Sequence, residues 1–201
     1  MRALLLLAVP ILASFGAVAQ EEGSIEAGKT KSAVCVACHG PDGNSVNPEW
    51  PSLAGQHARY IVKQIDAFKS GTRTNPLMSG IAAGITPQDA ADLAAYYSSL
   101  PVKLGTADPA LLRAGQRLYR GGNRAESLSA CIACHGPDGR GNLPGGIPSL
   151  SGQHATYTAA QLKAYAAGER RSDPNQIMRN VAALMSPDDI AAVASYVEGL
   201  H

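Results

Sequence analysis

All four cysteines of the chain fall in two copies of one pentapeptide, Cys35-Val36-Ala37-Cys38-His39 and Cys131-Ile132-Ala133-Cys134-His135. Residues three and four apart share one face of a helical turn, so each copy presents two thiols and an imidazole together. The pattern C-x-x-C-H is the attachment signature of c-type haem. The two thiols bond the two vinyl groups of one porphyrin, and the imidazole beneath the ring meets the iron. Three other chemistries use some of these groups. A redox dithiol needs C-x-x-C but not the histidine, zinc takes Cys and His together, and small-loop disulfides would use the cysteines alone. Gly-Pro-Asp-Gly follows each copy, at 40–43 and 136–139. That duplication favours two covalent haem c groups, attached through Cys35 and Cys38 and through Cys131 and Cys134, with His39 and His135 on the irons.

The opposite face of each iron needs a second ligand, and a Met–His pair is common in electron-carrying haems because it raises the potential. Beyond Met1 the chain has Met78, Met178 and Met185. The spacing from Met78 to Leu100 equals that from Met178 to Leu200, and in this register Met185 falls opposite Ile85, as a core residue would. Met78 and Met178 follow Asn75-Pro76 and Pro174-Asn175, in what read as polar loops where a lone methionine has no core to fill. They are the expected axial ligands. His57 and His154 also match between the halves and are the rival ligands; each stands beside Gly-Gln, where a polar surface or propionate-contacting side chain is the simpler reading. Trp50 has no counterpart in the second half.

The elements that must hold these groups are helical. Ser24 to Val34 reads as a short helix feeding the first motif, and Gly-Pro-Asp-Gly must turn the chain beneath the histidine. PSLAGQH at 51–57 and PSLSGQH at 148–154 each precede a helix, one with Tyr60, Gln64, Ala67 and Phe68, the other with Tyr157, Gln161, Ala164 and Tyr165. Gly71 and Gly168 are suited to ending them. The carbonyls of Pro51 and Pro148 are candidates to accept the second ring N–H of the haem histidines. Thr86-Pro87 and Ser186-Pro187 open closing helices with a capping hydroxyl before proline. Leu93, Tyr96 and Tyr97 face inward from the first of these; Ile190, Val193, Ala194 and Val197 do so from the second. Residues 101–109 form a linker, the second half restarts at Pro109, and its approach to the motif, Gly121 to Ser129, is longer. No convincing strand is present, and the fold class is all-α and duplicated.

Met1-Arg2, an apolar run from Ala3 to Val18 and Ala17-Val18-Ala19 have the parts of a secretory signal peptide. An uncleaved anchor is the competing reading. The expected division is 1–19 signal peptide, 20–104 first domain and 105–201 second domain, with the product exported to the periplasm. Without Arg2 the chain has 16 basic and 16 acidic side chains, which offers no basic stripe typical of nucleic-acid binding. The halves differ by two charges, and Glu169-Arg170-Arg171 precedes Met178 where the first loop has only Arg73. A cation disfavours ferric haem, so the second haem is expected at the higher potential.

Together the paired C-x-x-C-H-G-P-D-G, P-S-L-x-G-Q and late Met make the whole mature chain resemble the dihaem cytochromes c4. The resemblance implies two tandem class I cytochrome c domains, each wrapped around one haem, related by a pseudo-twofold axis with propionates near the interface. It implies axial pairs His39 with Met78 and His135 with Met178. It also implies a periplasmic carrier that takes electrons from the cytochrome bc complex or a dehydrogenase to a terminal oxidase, with loose membrane association possible. Two alternatives stand beside it: an electron-accepting subunit of a dehydrogenase, and a dihaem enzyme such as a peroxidase or thiosulfate dehydrogenase. The enzyme is disfavoured because each half supplies its own Met.

Overall fold

The computed structural model describes residues 22–201; the expected signal peptide lies outside them. The first half builds α1 (Ile25–Lys31), a 3-10 turn (Ser32–Val34), α2 (Val36–His39), α3 (Ala58–Ser70), α4 (Pro76–Ala83) and α5 (Pro87–Ser99). The second half repeats the plan with α6 (Pro109–Gly121), α7 (Ile132–His135), α8 (Ala155–Ala166), a 3-10 turn (Pro174–Gln176), α9 (Ile177–Ala182) and α10 (Pro187–Glu198). Among the described residues there is no strand, only the isolated bridges Asn123–Leu128 and Asn142–Ile147. The first of these lies within the longer approach to the second motif. No described helix is long and apolar enough to cross a membrane.

Each half is closed by its first and last helices, α1 on α5 and α6 on α10. The crossings are possible only at glycine. A Cβ on Gly28 would lie 2.0 Å from the Asp92 carbonyl oxygen, and one on Gly115 would lie 2.2 Å from that of Ala192. Both closing helices begin as read: Thr86 and Ser186 accept from the N–H of Asp89 and Asp189, whose carboxylates reach back to the cap N–H. These capping boxes satisfy N–H groups that have no partner inside the helix.

The cores form under these crossings. Ile61, Ile65, Phe68, Leu93, Tyr96 and Tyr97 are buried in the first half, and Leu118, Tyr119, Val193, Tyr196, Val197 and Leu200 in the second. A tyrosine fills the same region from different helices: Tyr97 of α5 lies against Tyr96, whereas Tyr119 of α6 lies against Tyr196. The inward positions expected for α5 and α10 are buried.

Met78 and Met178 do not sit on polar loops. Met78 lies on α4 and Met178 on α9. Asn75 is the N-cap of α4, its side chain accepting from Leu77 and Met78 N–H, and Pro76 occupies the first helical position. Asn-Pro therefore starts a helix here, as a capping side chain before proline can. Asn175 and Gln176 adopt positive φ of 52° and 60° before α9.

Candidate haem sites and the interface between them

Each pentapeptide forms one helical turn. Cys38 and His39 N–H donate to the Cys35 carbonyl at 3.2 and 2.9 Å, and Cys134 and His135 repeat this to Cys131 at the same distances. Gly40 and Gly136 then leave the turn at φ of 82° and 77°. The conformation suits glycine, and a Cβ on Gly40 would meet the Asn44 carbonyl oxygen at 2.2 Å.

The Gly-Pro-Asp-Gly loop has a positional task. The Gly43 carbonyl accepts from Leu53 and Ala54 N–H at 2.7 and 3.0 Å, and the Gly139 carbonyl accepts from Leu150 and Ser151 at 2.6 and 3.1 Å. These bonds draw the Pro-Ser-Leu segment under the histidine. The Nδ1–H of His39 donates to the Pro51 carbonyl at 2.8 Å, and that of His135 to Pro148 at 3.0 Å. A carbonyl can only accept, so Nδ1 carries the proton and Nε2 keeps its lone pair. Both imidazoles are buried, and that burial lowers their pKa against the opposing pull of the proline carbonyls. They stay neutral at pH 7, the form that binds iron.

The thiols distinguish the competing chemistries. Burial pushes Cys35 up and Cys131 up to about 11, whereas a redox dithiol needs a lowered thiol pKa. Among the described residues no three His, Cys, Asp or Glu side chains converge as zinc ligands would, and no disulfide joins the cysteines. Met78 is half-buried against the first core and Met185 packs against the second, the latter as expected of a core residue. Met178 is half-buried on α9.

The two halves meet through a reciprocal polar interface. Gln56 accepts from Ser149 N–H at 3.0 Å and donates to its carbonyl at 2.9 Å; Gln153 does the same to Ser52 at 3.0 and 2.9 Å. His57 Nε2 bonds the Arg140 carbonyl and His154 Nε2 bonds that of Ser45, each at 2.8 Å. These histidines are therefore interface residues.

At the centre lie two buried arginines, Arg73 and Arg170, which the sequence marked only as loop charges and not as interface residues. Arg73 donates to Gln64 at 2.9 Å, to Tyr157 at 2.5 Å and to Gln161 at 3.0 Å. Arg170 donates to Gln161 at 2.8 Å and to Tyr60 and Gln64 at 2.7 Å each. Their guanidinium carbons sit 4.6 Å over the rings of Phe68 and Tyr165 respectively, a favourable cation–π geometry. Arg73 and Arg170 are thus equivalents, each bonded through its N–H to the carbonyl of Ala67 or Ala164. That equivalence removes the expected charge contrast between the two loops: what remains is Glu169 beside Arg171, whose charges oppose.

Both arginines are at most 8 % exposed, yet their side-chain hydrogen-bond partners are neutral, and among the described residues neither forms an ion pair with a carboxylate. Burying two cations without an anion is costly. Haem propionates would bring that counter-charge, and the neutral imidazoles, thiols and thioethers suit porphyrin attachment and iron. The residues fit the group.

The cytochrome c family model matches residues 25–101 and 112–201. Cytochrome c4 of Azotobacter vinelandii is 48 % identical over 194 residues, 92 % of each chain. A more distant relative, a thiosulfate dehydrogenase electron acceptor of Stutzerimonas stutzeri, is 39 % identical over 81 % of this chain and 76 % of its own. The solved structure of reduced recombinant cytochrome c4 from Pseudomonas stutzeri is 46 % identical with a TM-score of 0.86, covering 89 % of this chain and all of that one. With two matched halves, each pairing a C-x-x-C-H turn with a buried, oriented histidine, the chain belongs to the cytochrome c4 family: two cytochrome c domains carrying covalently bound haem c.

Proposed function

We propose that the protein is a periplasmic electron carrier that accepts electrons from the cytochrome bc complex or a dehydrogenase and delivers them to a terminal oxidase. In this reading residues 1–19 are the export signal, and the domains span 20–104 and 105–201. Cys35, Cys38, Cys131 and Cys134 form the thioethers, and the axial pairs are His39 with Met78 and His135 with Met178. Bound haem supplies a one-electron couple between ferric and ferrous iron.

The chain's own residues hold and tune that couple. The Pro51 and Pro148 carbonyls fix each imidazole and keep Nε2 as the donor, as outer-shell groups do for metal-bound histidine. Thioether ligands favour the ferrous state and raise the potential. Arg73 and Arg170 would neutralise propionates between the domains. The observation that supports this reading is that each half has a cysteine pair, a buried histidine oriented by a proline carbonyl and a half-buried methionine in matched positions; with both side chains on iron, no position would be left for substrate. Likeness to a thiosulfate dehydrogenase electron acceptor supports a second reading, in which the protein serves one dehydrogenase as its acceptor.

Stopped-flow mixing separates these readings. Ferric holoprotein should be reduced by membranes containing the bc complex and a quinol, and ferrous holoprotein should be oxidised by membranes containing the terminal oxidase. Failure of both, with rapid reduction by thiosulfate dehydrogenase and thiosulfate, would replace the first reading by the second.

A further inference from the structure

The duplicated halves differ most in charge along their first helices. In α1, Lys31 is paired with Asp89 and Asp92 of α5 at 2.6 and 2.5 Å. Helix α6 contains three arginines, Arg113, Arg117 and Arg120, and no Asp or Glu, and the turn after it adds Arg124 with Glu126 two residues on. All four are exposed. None forms an ion pair among the described residues. Arg120 gives its Nε–H to the neutral Tyr196 hydroxyl at 3.3 Å. Asp138 supports the Arg120 charge only from a distance.

Arg113, Arg117 and Arg120 are four and three residues apart, so they lie on one face of α6, along roughly 10 Å of helix. That face is opposite Gly115, Leu118 and Tyr119, which are buried. Like charges at this spacing repel and destabilise the helix, whereas interleaved Glu would stabilise it. The helix dipole favours cations in the last turn only, so it accounts for Arg120 but not for Arg113. The opposite side of the same helix touches the haem motif: the Tyr119 hydroxyl donates to the Gly136 carbonyl, next to His135, at 2.7 Å.

We propose that the arginine face of α6 is a docking surface for an acidic protein partner, and that it places this partner on the carboxy-terminal domain. Arginine's planar fork matches carboxylates in bidentate pairs. Of the leucines on α6 only Leu112 is substantially exposed beside this face, and no aromatic anchor accompanies it. Contact is therefore electrostatic, fast to form and sensitive to salt, as a carrier's encounters must be. The absence of an apolar edge beyond Leu112 argues for a protein surface over insertion into lipid. The proposal deepens the carrier reading, but its test measures binding without electron transfer, so its failure would leave that reading standing.

The test uses ferric holoprotein and a dye-labelled decaglutamate peptide, with binding read from quenching of the dye by haem. Wild-type affinity should fall steeply with added salt. Arg113→Glu/Arg117→Glu should weaken it at least tenfold, and Arg113→Gln/Arg117→Gln should weaken it by a smaller factor. Lys63→Glu/Lys69→Glu, two reversals on α3, should change it less than twofold. Equal losses in the α3 and α6 variants would overturn the proposal. So would arginine-dependent co-sedimentation with vesicles of phosphatidylcholine and phosphatidylglycerol together with no peptide binding, which would assign the face to the membrane.

Discussion

Gln64→Met tests the interface with little change of volume. Gln64 Oε1 accepts from Arg73 at 2.9 Å, from Arg170 at 2.7 Å and weakly from Ser172 at 3.3 Å. A hydrogen bond to a charged group contributes about 1.5–3 kcal/mol, so losing the two guanidinium bonds should cost about 3–6 kcal/mol. Both arginines keep other acceptors, which places the expected value toward the lower end. Of the two guanidinium bonds only that to Arg170 joins the halves, so docking itself should weaken by about 1.5–3 kcal/mol, roughly ten- to hundredfold. Urea denaturation of the oxidised holoprotein, followed by far-ultraviolet circular dichroism and by the Soret band, reads both quantities. Gln161→Met should behave alike, because Gln161 also accepts from both arginines. The double variant should lose less than the sum, since the two glutamines serve the same cations. Losses below ~1 kcal/mol in both single variants, or full additivity, would refute the reasoning.

Gly28→Ala and Gly115→Ala should each destabilise by about 2 kcal/mol or more through overpacking, seen as a lower melting temperature. Gly80→Ala, with nothing within 4 Å of its Cβ position, should be neutral or slightly stabilising. Lys31 and the Thr86 cap hold Asp89 down from 3.8 to about 2. A carboxylate with a depressed folded pKa contributes stability above its unfolded value, and loses it as pH falls through the folded one. Lys31→Met should therefore narrow the stability difference between pH 5 and pH 2, measured by urea titration at each pH; an unchanged difference would count against the ion pair.

Much of the site was legible because its chemistry is local. Two cysteines and a histidine in five residues specify one helical turn, and Gly-Pro-Asp-Gly marks the loop whose carbonyl draws Pro51 toward His39. The capping boxes at Thr86 and Ser186 were equally plain, since their partners lie three residues away. Asn75-Pro76 was open to two readings, because the same pair that marks a turn also caps a helix. The arginine network was hidden for a different reason. Three extra residues separate Gly168 from Met178 relative to Gly71 and Met78, so an alignment on the methionines sets Arg73 opposite Asp173 and conceals its match to Arg170. Nor does any pattern along the chain say that Gln64 and Arg170, 106 positions apart, share a bond. Signals were present in the repeated Tyr-x-x-x-Gln of α3 and α8 and in an arginine two residues after each helix-ending glycine. The exchange of Tyr97 for Tyr119 was unreadable for the same reason: it is a compensation across two helices that touch only in the fold.

The central claim is that each domain supplies both axial ligands of its own iron, with Met78 and Met178 as the thioethers. The oxidised holoprotein should show the weak near-infrared sulfur-to-iron band at about twice single-haem intensity. Met78→Ala and Met178→Ala should each remove half of it, while Met185→Leu should leave it intact. Retention of the full band in Met178→Ala, with loss in Met185→Leu, would contradict the assignment.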